Sequence, residues 1–549
     1  MRAIVAAFVS LFVLVGSAEA GTAWKITKDH WSAEDEEGFS KFVEAIGESG
    51  CTTTEDCFEN HLNPYRDSDP NSLVLDGDCA DLPYQMRAYY AWKNGLPFSY
   101  AVGVSPRSGS TGDLRFNTKG NKVVARRDVL PWVGGFSAVA VLNSIGDAVS
   151  SATFRVSSEF DSGPSVSDFY SPKIQKGSIR PGTAIYDING HVVLVIKVDE
   201  DGRVQYMDSH PDRTLTRSTF GAQFARDDPA LGSGFKNFRP IRLVGYKRAG
   251  DGSLVGGRLV FAKNEEIPDY SDVQAYGNGA NPARVWDAAK YIHEGVEVGY
   301  YEWVRLQLGD GKNVYNPVYE LRNDIRSICG DLKDRAQAVD IALDAKIHRK
   351  DPPDRLPNNI YGTDSMEWEI YSTPSRDARL KTRFKELRDN MAKLLQMYVD
   401  RDPRVSYDGL QLKETLQKIY EDESERCKVQ YKNTNGRNVS LTFHEVTQRL
   451  FKLSFDPYQC VERRWGATED DELDSCDDGG TKKRWYEAEQ RLRNQIDRTY
   501  DTPMNFSISD LKGKKKGSGW DEPPDIDTKK VIDTMGPRKK FEGMKPTGL

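Results

Sequence analysis

The chain has 549 residues, 29% of them charged, and a net charge of −7 at neutral pH. That length implies two or more domains. The mild acidity gives no reason to expect a nucleic-acid partner, and no apolar run beyond the N-terminal stretch is long enough to serve as a stable membrane anchor.

Met1-Arg2, an apolar run from Ala3 to about Gly16 and the ending Ser17-Ala18-Glu19-Ala20 form a secretory signal, expected over residues 1–20. A mature chain starting near Gly21 would enter an oxidising compartment, periplasmic or secreted. Seven cysteines there imply three bridges and a remainder. Cys51 and Cys57 can bracket a small loop, and Cys460 and Cys476 an acidic one. Cys329 and Cys427 would then join distant parts of the second half. Spacing alone leaves other pairings open, with Cys79 itself bridged and another cysteine free.

Cys79 has the context of a nucleophile. Asp76-Gly77-Asp78-Cys79-Ala80-Asp81 reads as a turn entering a helix that runs to about Lys93. Asp78 can cap that helix, and a thiol in the first turn meets unpaired amides and the positive end of the helix dipole, which favour a thiolate. The carboxylates of Asp78 and Asp81 oppose this unless they point away. The segment Val104 to Asn143 reads as a lid or substrate wall.

Valine- and isoleucine-rich runs follow at Thr183–Tyr186, Val192–Val198, Val204–Met207 and Arg242–Tyr246, with a hairpin turn from Val198 to Val204. His191 opens one strand of that hairpin, and Asp208 closes the other. Antiparallel pairing brings the two together. Cys79 as nucleophile, His191 as proton shuttle and Asp208 as its orienting group make a complete set for amide chemistry. His210 competes with His191 and is read as its neighbour. A metal held by His191, Asp208, His210 and Cys79 is conceivable, but no close ligand pair supports it, so neither metal nor cofactor is expected. The Cys79 amide offers one oxyanion hydrogen bond. For the second donor, Asn71 and Tyr65 are the candidates.

Asn264 to Pro282 has the composition of a linker. Beyond it, apolar residues recur at helical spacing: Leu332, Ala336, Val339, Leu343 and Ile347; Phe384, Leu387, Met391, Leu394 and Tyr398; Leu412, Leu416 and Ile419; Phe443, Val446, Leu450 and Leu453; Trp485, Ala488, Leu492 and Ile496. The expected division is a signal peptide at 1–20, an α+β domain with an antiparallel sheet at 21–265, and a linker at 266–282. An all-α domain at 283–510 and a disordered tail at 511–549 complete it.

The order Cys79, His191, Asp208 resembles the papain-like cysteine hydrolase superfamily in its bacterial branches. Gly77-Asp78-Cys79-Ala80-Asp81 with Asn94-Gly95-Leu96-Pro97-Phe98 is similar to the transglutaminase-like core. Arg180-Pro181-Gly182-Thr183-Ala184-Ile185-Tyr186 with Gly190-His191-Val192-Val193 is similar to the NlpC/P60 and CHAP amidases. The likeness covers roughly residues 70 to 215. Roughly 110 residues separate Cys79 from His191, more than a compact amidase needs. The resemblance implies an exported thiol protease or amidase acting on a protein or a cell-wall peptide, with acyl transfer to an amine as a variant. The rival expectation is a non-catalytic binding protein that keeps the fold and engages a protein partner through its helical half.

Overall fold

The computed structural model describes residues 22–109, 112–129, 136–159, 165–309, 314–496, 502–513 and 521–537. The signal peptide expected over 1–20 lies outside the described residues.

The first half begins with helix α1 (Ala33–Glu48), whose Ser32 and Asp35 form a capping box. Helix α2 (Asp81–Lys93) is buried on nearly all sides. A two-stranded ribbon, β1 (Phe98–Pro106) and β2 (Asn121–Val129), and helix α3 (Ala138–Ala148) follow. The ribbon occupies the stretch read as a wall. It is anchored through Asp168, which accepts from Tyr84 Oη at 2.7 Å and from the Ala101 amide at 2.8 Å and pairs with Arg126.

The main sheet contains β3 (Phe169–Tyr170), β4 (Ala184–Asp187), β5 (His191–Val198), β6 (Val204–Ser209), β7 (Leu215–Thr219) and β8 (Gly234–Phe238). Its spatial order is β3-β8-β4-β5-β6-β7, antiparallel throughout. The chain is therefore α+β, as the sequence implies. Side chains alternate across the sheet. Ala184, Tyr186, Val192, Leu194 and Met207 pack into the core that holds α1 and α2. Ile185, Val193, Val195, Val204 and Tyr206 pack into a second core on the other face.

That second core corrects the expected boundary at 282. It is completed by Tyr291 of the hairpin β9 (Tyr291–His293) and β10 (Val296–Val298), and by Tyr300, Trp303, Val304 and Leu308 of α4 (Tyr300–Leu308). The first half's core thus continues to Leu308. The stretch read as a linker is itself stitched to the sheet: the Phe235 amide donates to Gln274 Oε1 at 2.9 Å, and Gln274 Nε2 donates to the Phe235 carbonyl at 3.0 Å.

The second half centres on α5 (Pro317–Asp344), α6 (Pro374–Asp400) and α7 (Leu412–Arg426), whose apolar stripes share one core. It is not all-α. Besides β9–β10 it carries a hairpin, β11 (Lys428–Lys432) and β12 (Asn438–Thr442). Val429 and Tyr431 are buried from β11, while Lys428, Gln430 and Lys432 face out, the period-2 pattern of a half-buried strand. The expectation of a disordered tail from 511 is also corrected. Helix α8 (Thr528–Asp533) buries Ile532, with Ile526 just before it, against the α5–α7 core. A short segment with apolar residues at the right spacing finds a groove despite its polar surroundings.

Cys51–Cys57, Cys329–Cys427 and Cys460–Cys476 are bridged, and Cys79 is the free cysteine. Three bridges are the usage of an oxidising compartment. No helix of the described residues is long and apolar enough to cross a membrane.

Candidate active site

β5 and β6 are joined by the expected hairpin, with Leu194 opposite Met207 and Val198 opposite Val204. Extended toward the open end, that register sets His191 across from His210, with Asp208 between them on the same face. His191 Nε2 is hydrogen-bonded to Asp208 Oδ2, and His210 Nε2 lies 3.0 Å from Asp208 Oδ1. Thr216, Asp208's partner in β7, donates its hydroxyl to Oδ1 as well. The two imidazoles lie 6.0 Å apart and nearly parallel.

Burial alone would raise the Asp208 carboxyl. The two histidines and the hydrogen bonds they make outweigh it and hold Asp208 well below the usual carboxylate range. Asp208 is therefore a fixed anion. His210 is pushed down to about 4, chiefly by burial and then by the charge of Arg376, so it is neutral at physiological pH. His191 uses Nε2 for Asp208. Its Nδ1 makes no hydrogen bond among the described residues and is the ring atom left for chemistry.

Gly190 places His191. It sits at φ +82° in the turn from β4, and a Cβ there would lie 2.7 Å from the Phe116 ring. Only glycine combines that backbone with that approach. Phe116 comes from the tip of the ribbon and stacks on Tyr361 of the helical half at 5.7 Å.

Cys79 stands two residues ahead of α2, in the turn rather than the first helical turn. The loop is fastened to the end of β6, where Ser209 Oγ donates to the Gly77 carbonyl at 2.6 Å. The sulfur accepts a hydrogen bond from the Val192 amide, next to His191 in the chain. No hydrogen bond joins Cys79 to His191 among the described residues. The structure thus brings Asp208 and both histidines into direct contact and holds the thiol beside the same strand ends.

The expectation of a thiolate is corrected. Burial pushes the Cys79 thiol well above its ordinary value, reinforced by the negative charges of Asp78, Asp208 and Asp81 and only partly opposed by the Val192 amide. The amides that a thiolate would use are taken. Asp78 Oδ1 accepts from the Ala80 amide at 2.9 Å and the Asp81 amide at 3.4 Å. One of the opposing charges is absent at neutral pH, because burial and Asp78 push the Asp81 carboxyl up to about 9. Cys79 is thus a neutral thiol at rest. A single thiol should be titrated under denaturing, non-reducing conditions, and it should map to Cys79. In the folded protein its alkylation should lag behind the unfolded chain at about pH 8 and accelerate as pH climbs past the ordinary cysteine range near 8.5. Fast native labelling at neutral pH would contradict the half-buried, anion-flanked geometry.

Asp81 makes a second test. Its folded value is above its unfolded one, so between about pH 4 and 9 the folded state holds a proton that the unfolded state lacks. Its contribution to stability is full at acid pH and is lost as pH rises through that window. Asp81→Asn should stabilise the protein at about pH 8 and make little difference at about pH 4, read from urea midpoints. A variant whose advantage is the same at both pH values would show that Asp81 is ionised in the fold.

Of the other candidates, Asn71 is exposed on the surface, and Tyr65 is bonded to Asn94 within the aromatic cluster around Tyr89 and Tyr90. Neither is placed to hold an oxyanion. The Cys79 amide makes no hydrogen bond among the described residues and remains a donor for one. Among the described residues the only clustered ligand group is Cys460, Glu462 and Cys476, and its two sulfurs are joined in a bridge.

Three contributors to this site had no sequence signal: Thr216, which the β6–β7 register places, and Tyr361 and Arg376 from the helical half. Arg376 pairs with Asp212 at 2.8 Å and fastens the start of α6 over the end of β6. No family model, no curated protein and no solved structure matches this chain.

Proposed function

We propose that the chain is an exported cysteine hydrolase of amide or peptide bonds, with a papain-like first half similar to the transglutaminase-like and NlpC/P60 branches. The observation that carries this reading is the His191–Asp208 pair. An ionised carboxylate fixes Nε2 and leaves Nδ1 free, at the strand end against which the one unbridged cysteine is held. Cys79 Sγ attacks the carbonyl carbon while Nδ1 takes the thiol proton. The carbonyl π electrons move to oxygen, which the Cys79 amide receives. Nδ1 then returns the proton to the leaving amine as the C–N bond breaks, and water releases the acyl group from sulfur. With a neutral resting thiol, proton removal belongs to the attack step, as with a serine nucleophile. Thiol and imidazole would meet when substrate seats, since such contacts are often long in free enzymes.

The test is a peptide mixture quenched in acid, followed by mass mapping of Cys79. An acyl adduct on Cys79 in the wild type that is missing in His191→Ala supports hydrolysis or acyl transfer. Cleavage without any Cys79 adduct would refute the nucleophile. The raised thiol and the missing Cys79–His191 hydrogen bond favour a second reading, a binding protein that retains the fold. It predicts neither adduct nor turnover, with peptide binding unchanged in Cys79→Ala.

A further inference from the structure

Helix α6 turns Arg376, Arg379 and Arg383 toward the sheet, at i, i+3 and i+7 on one face. Two of the three have partners. Arg376 pairs with Asp212 at 2.8 Å, and Arg383 donates to Ser327 at 3.0 Å and lies 3.5 Å from Glu386. Arg379 has no hydrogen bond and no ion pair among the described residues. It lines a cavity of about 50 Å³ shared with Asp208, His210, Asp331 and Asp334, and its charge is felt at Asp331. Its charge is felt at Asp187 and at Tyr361, and Tyr361 also lies within electrostatic reach of Cys79. A guanidinium without a partner, half-buried in a cleft beside a candidate triad, offers a planar fork that matches a carboxylate.

We propose that Arg379 reads a carboxylate on the substrate, so that the amide cleaved at Cys79 belongs to a peptide that also carries a carboxylate near the scissile bond. This rests on the hydrolase reading and deepens it. The carboxylate is either an acidic side chain or a free chain end, and both present the same chemistry to Arg379.

Three alkylating probes test it: bromoacetyl-Glu-amide, bromoacetyl-Ala with a free carboxylate, and bromoacetyl-Ala-amide. All react by displacement of bromide by the Cys79 sulfur, and the amide is the neutral reference. At about pH 9, above the ordinary cysteine range, at least one acidic probe should label Cys79 about tenfold faster than the neutral one, the size expected of a hydrogen bond between charged groups. The faster of the two identifies the carboxylate's source. Arg379→Gln should erase the advantage while leaving the neutral rate within about twofold, and Arg379→Lys should restore part of it. Added salt should shrink the wild-type advantage, a readout that needs no variant to fold. Equal rates for all three probes in the wild type, or an advantage that survives in Arg379→Gln, would overturn the proposal. If the neutral probe fails to label folded Cys79 even at that pH, the hydrolase reading fails, and that failure is separate from this one.

Discussion

Replacing Cys79 by Ala should abolish turnover, and His191→Ala should reduce it by ~10²–10⁴, the usual worth of positioned acid–base help. The asymmetry between the two histidines is the informative part. Both touch Asp208, yet their environments differ. His210 is held neutral by burial and the Arg376 charge, with a pKa near 4, and its Nε2 is also within 3.1 Å of Thr216 Oγ1. A base that weak does little near neutrality. His210→Ala should therefore cost far less than His191→Ala, because Thr216 still donates to Asp208 Oδ1. Asp208→Asn should be milder than Asp208→Ala, since the amide oxygen can still accept from Nε2. Rates are to be followed across pH. Wild-type kcat/KM should not track the thiolate fraction, because Nδ1 takes the thiol proton within the attack step. If His210→Ala silences the protein while His191→Ala does not, the two roles are exchanged and the hairpin argument fails with them.

That argument was legible because it needed only local rules. An Asp-Gly turn between two β-branched runs sets a hairpin, and a hairpin sets which ends meet. His191, Asp208 and their common face follow from the period of two. Compartment implied three bridges and a remainder, while spacing left more than one pairing open and the structure forms Cys51–Cys57, Cys329–Cys427 and Cys460–Cys476. The thiol's state was not legible, because it depends on what surrounds the loop. The N-cap of the helix is Ala80, without a side-chain cap, and the Asp78 carboxylate takes the Ala80 and Asp81 amides that would have held a thiolate. Val192 and Ser209 approach the loop from strands more than a hundred residues away. The domain boundary failed for a similar reason. Tyr291, Tyr300 and Trp303 carry no signal of belonging to the sheet's second core, and polar composition at 266–282 was read as independence. The β11–β12 hairpin, by contrast, was readable. Lys428-Val429-Gln430-Tyr431-Lys432 alternates, and Asn433-Thr434-Asn435-Gly436 supplies the turn. Strong helical stripes on both sides masked it.

Asp377→Ala should be among the most destabilising single changes in the helical half, at about 3–5 kcal/mol. Asp377 lies near the start of α6 and takes the Arg335 guanidinium through two bonds, Nε to Oδ1 at 2.7 Å and Nη2 to Oδ2 at 3.1 Å. Both side chains are 2% exposed. Arg335 also lies over the Trp465 ring at 4.9 Å and donates to the Ser454 carbonyl at 3.0 Å, which Arg464 uses as well. Arg464 is already pulled down to about 9 by burial and the Arg335 charge. Removing Asp377 would leave two buried guanidinia facing each other with their nearest shared carboxylate gone. A buried pair gains little over an apolar one, but breaking it strands a charge. The double change Arg335→Met with Asp377→Leu should therefore cost clearly less than Asp377→Ala alone, in urea unfolding followed by tryptophan fluorescence. A double variant as unstable as the single would show that shape rather than charge sets the loss. The site should register it too. Asp377 adjoins Arg376, whose bond to Asp212 fastens this end of α6 over β6. Loosening it would free the helix that carries Arg379. Asp377→Ala should then lose the preference for acidic probes under conditions where the protein is still folded, while the neutral probe goes on reporting the thiol.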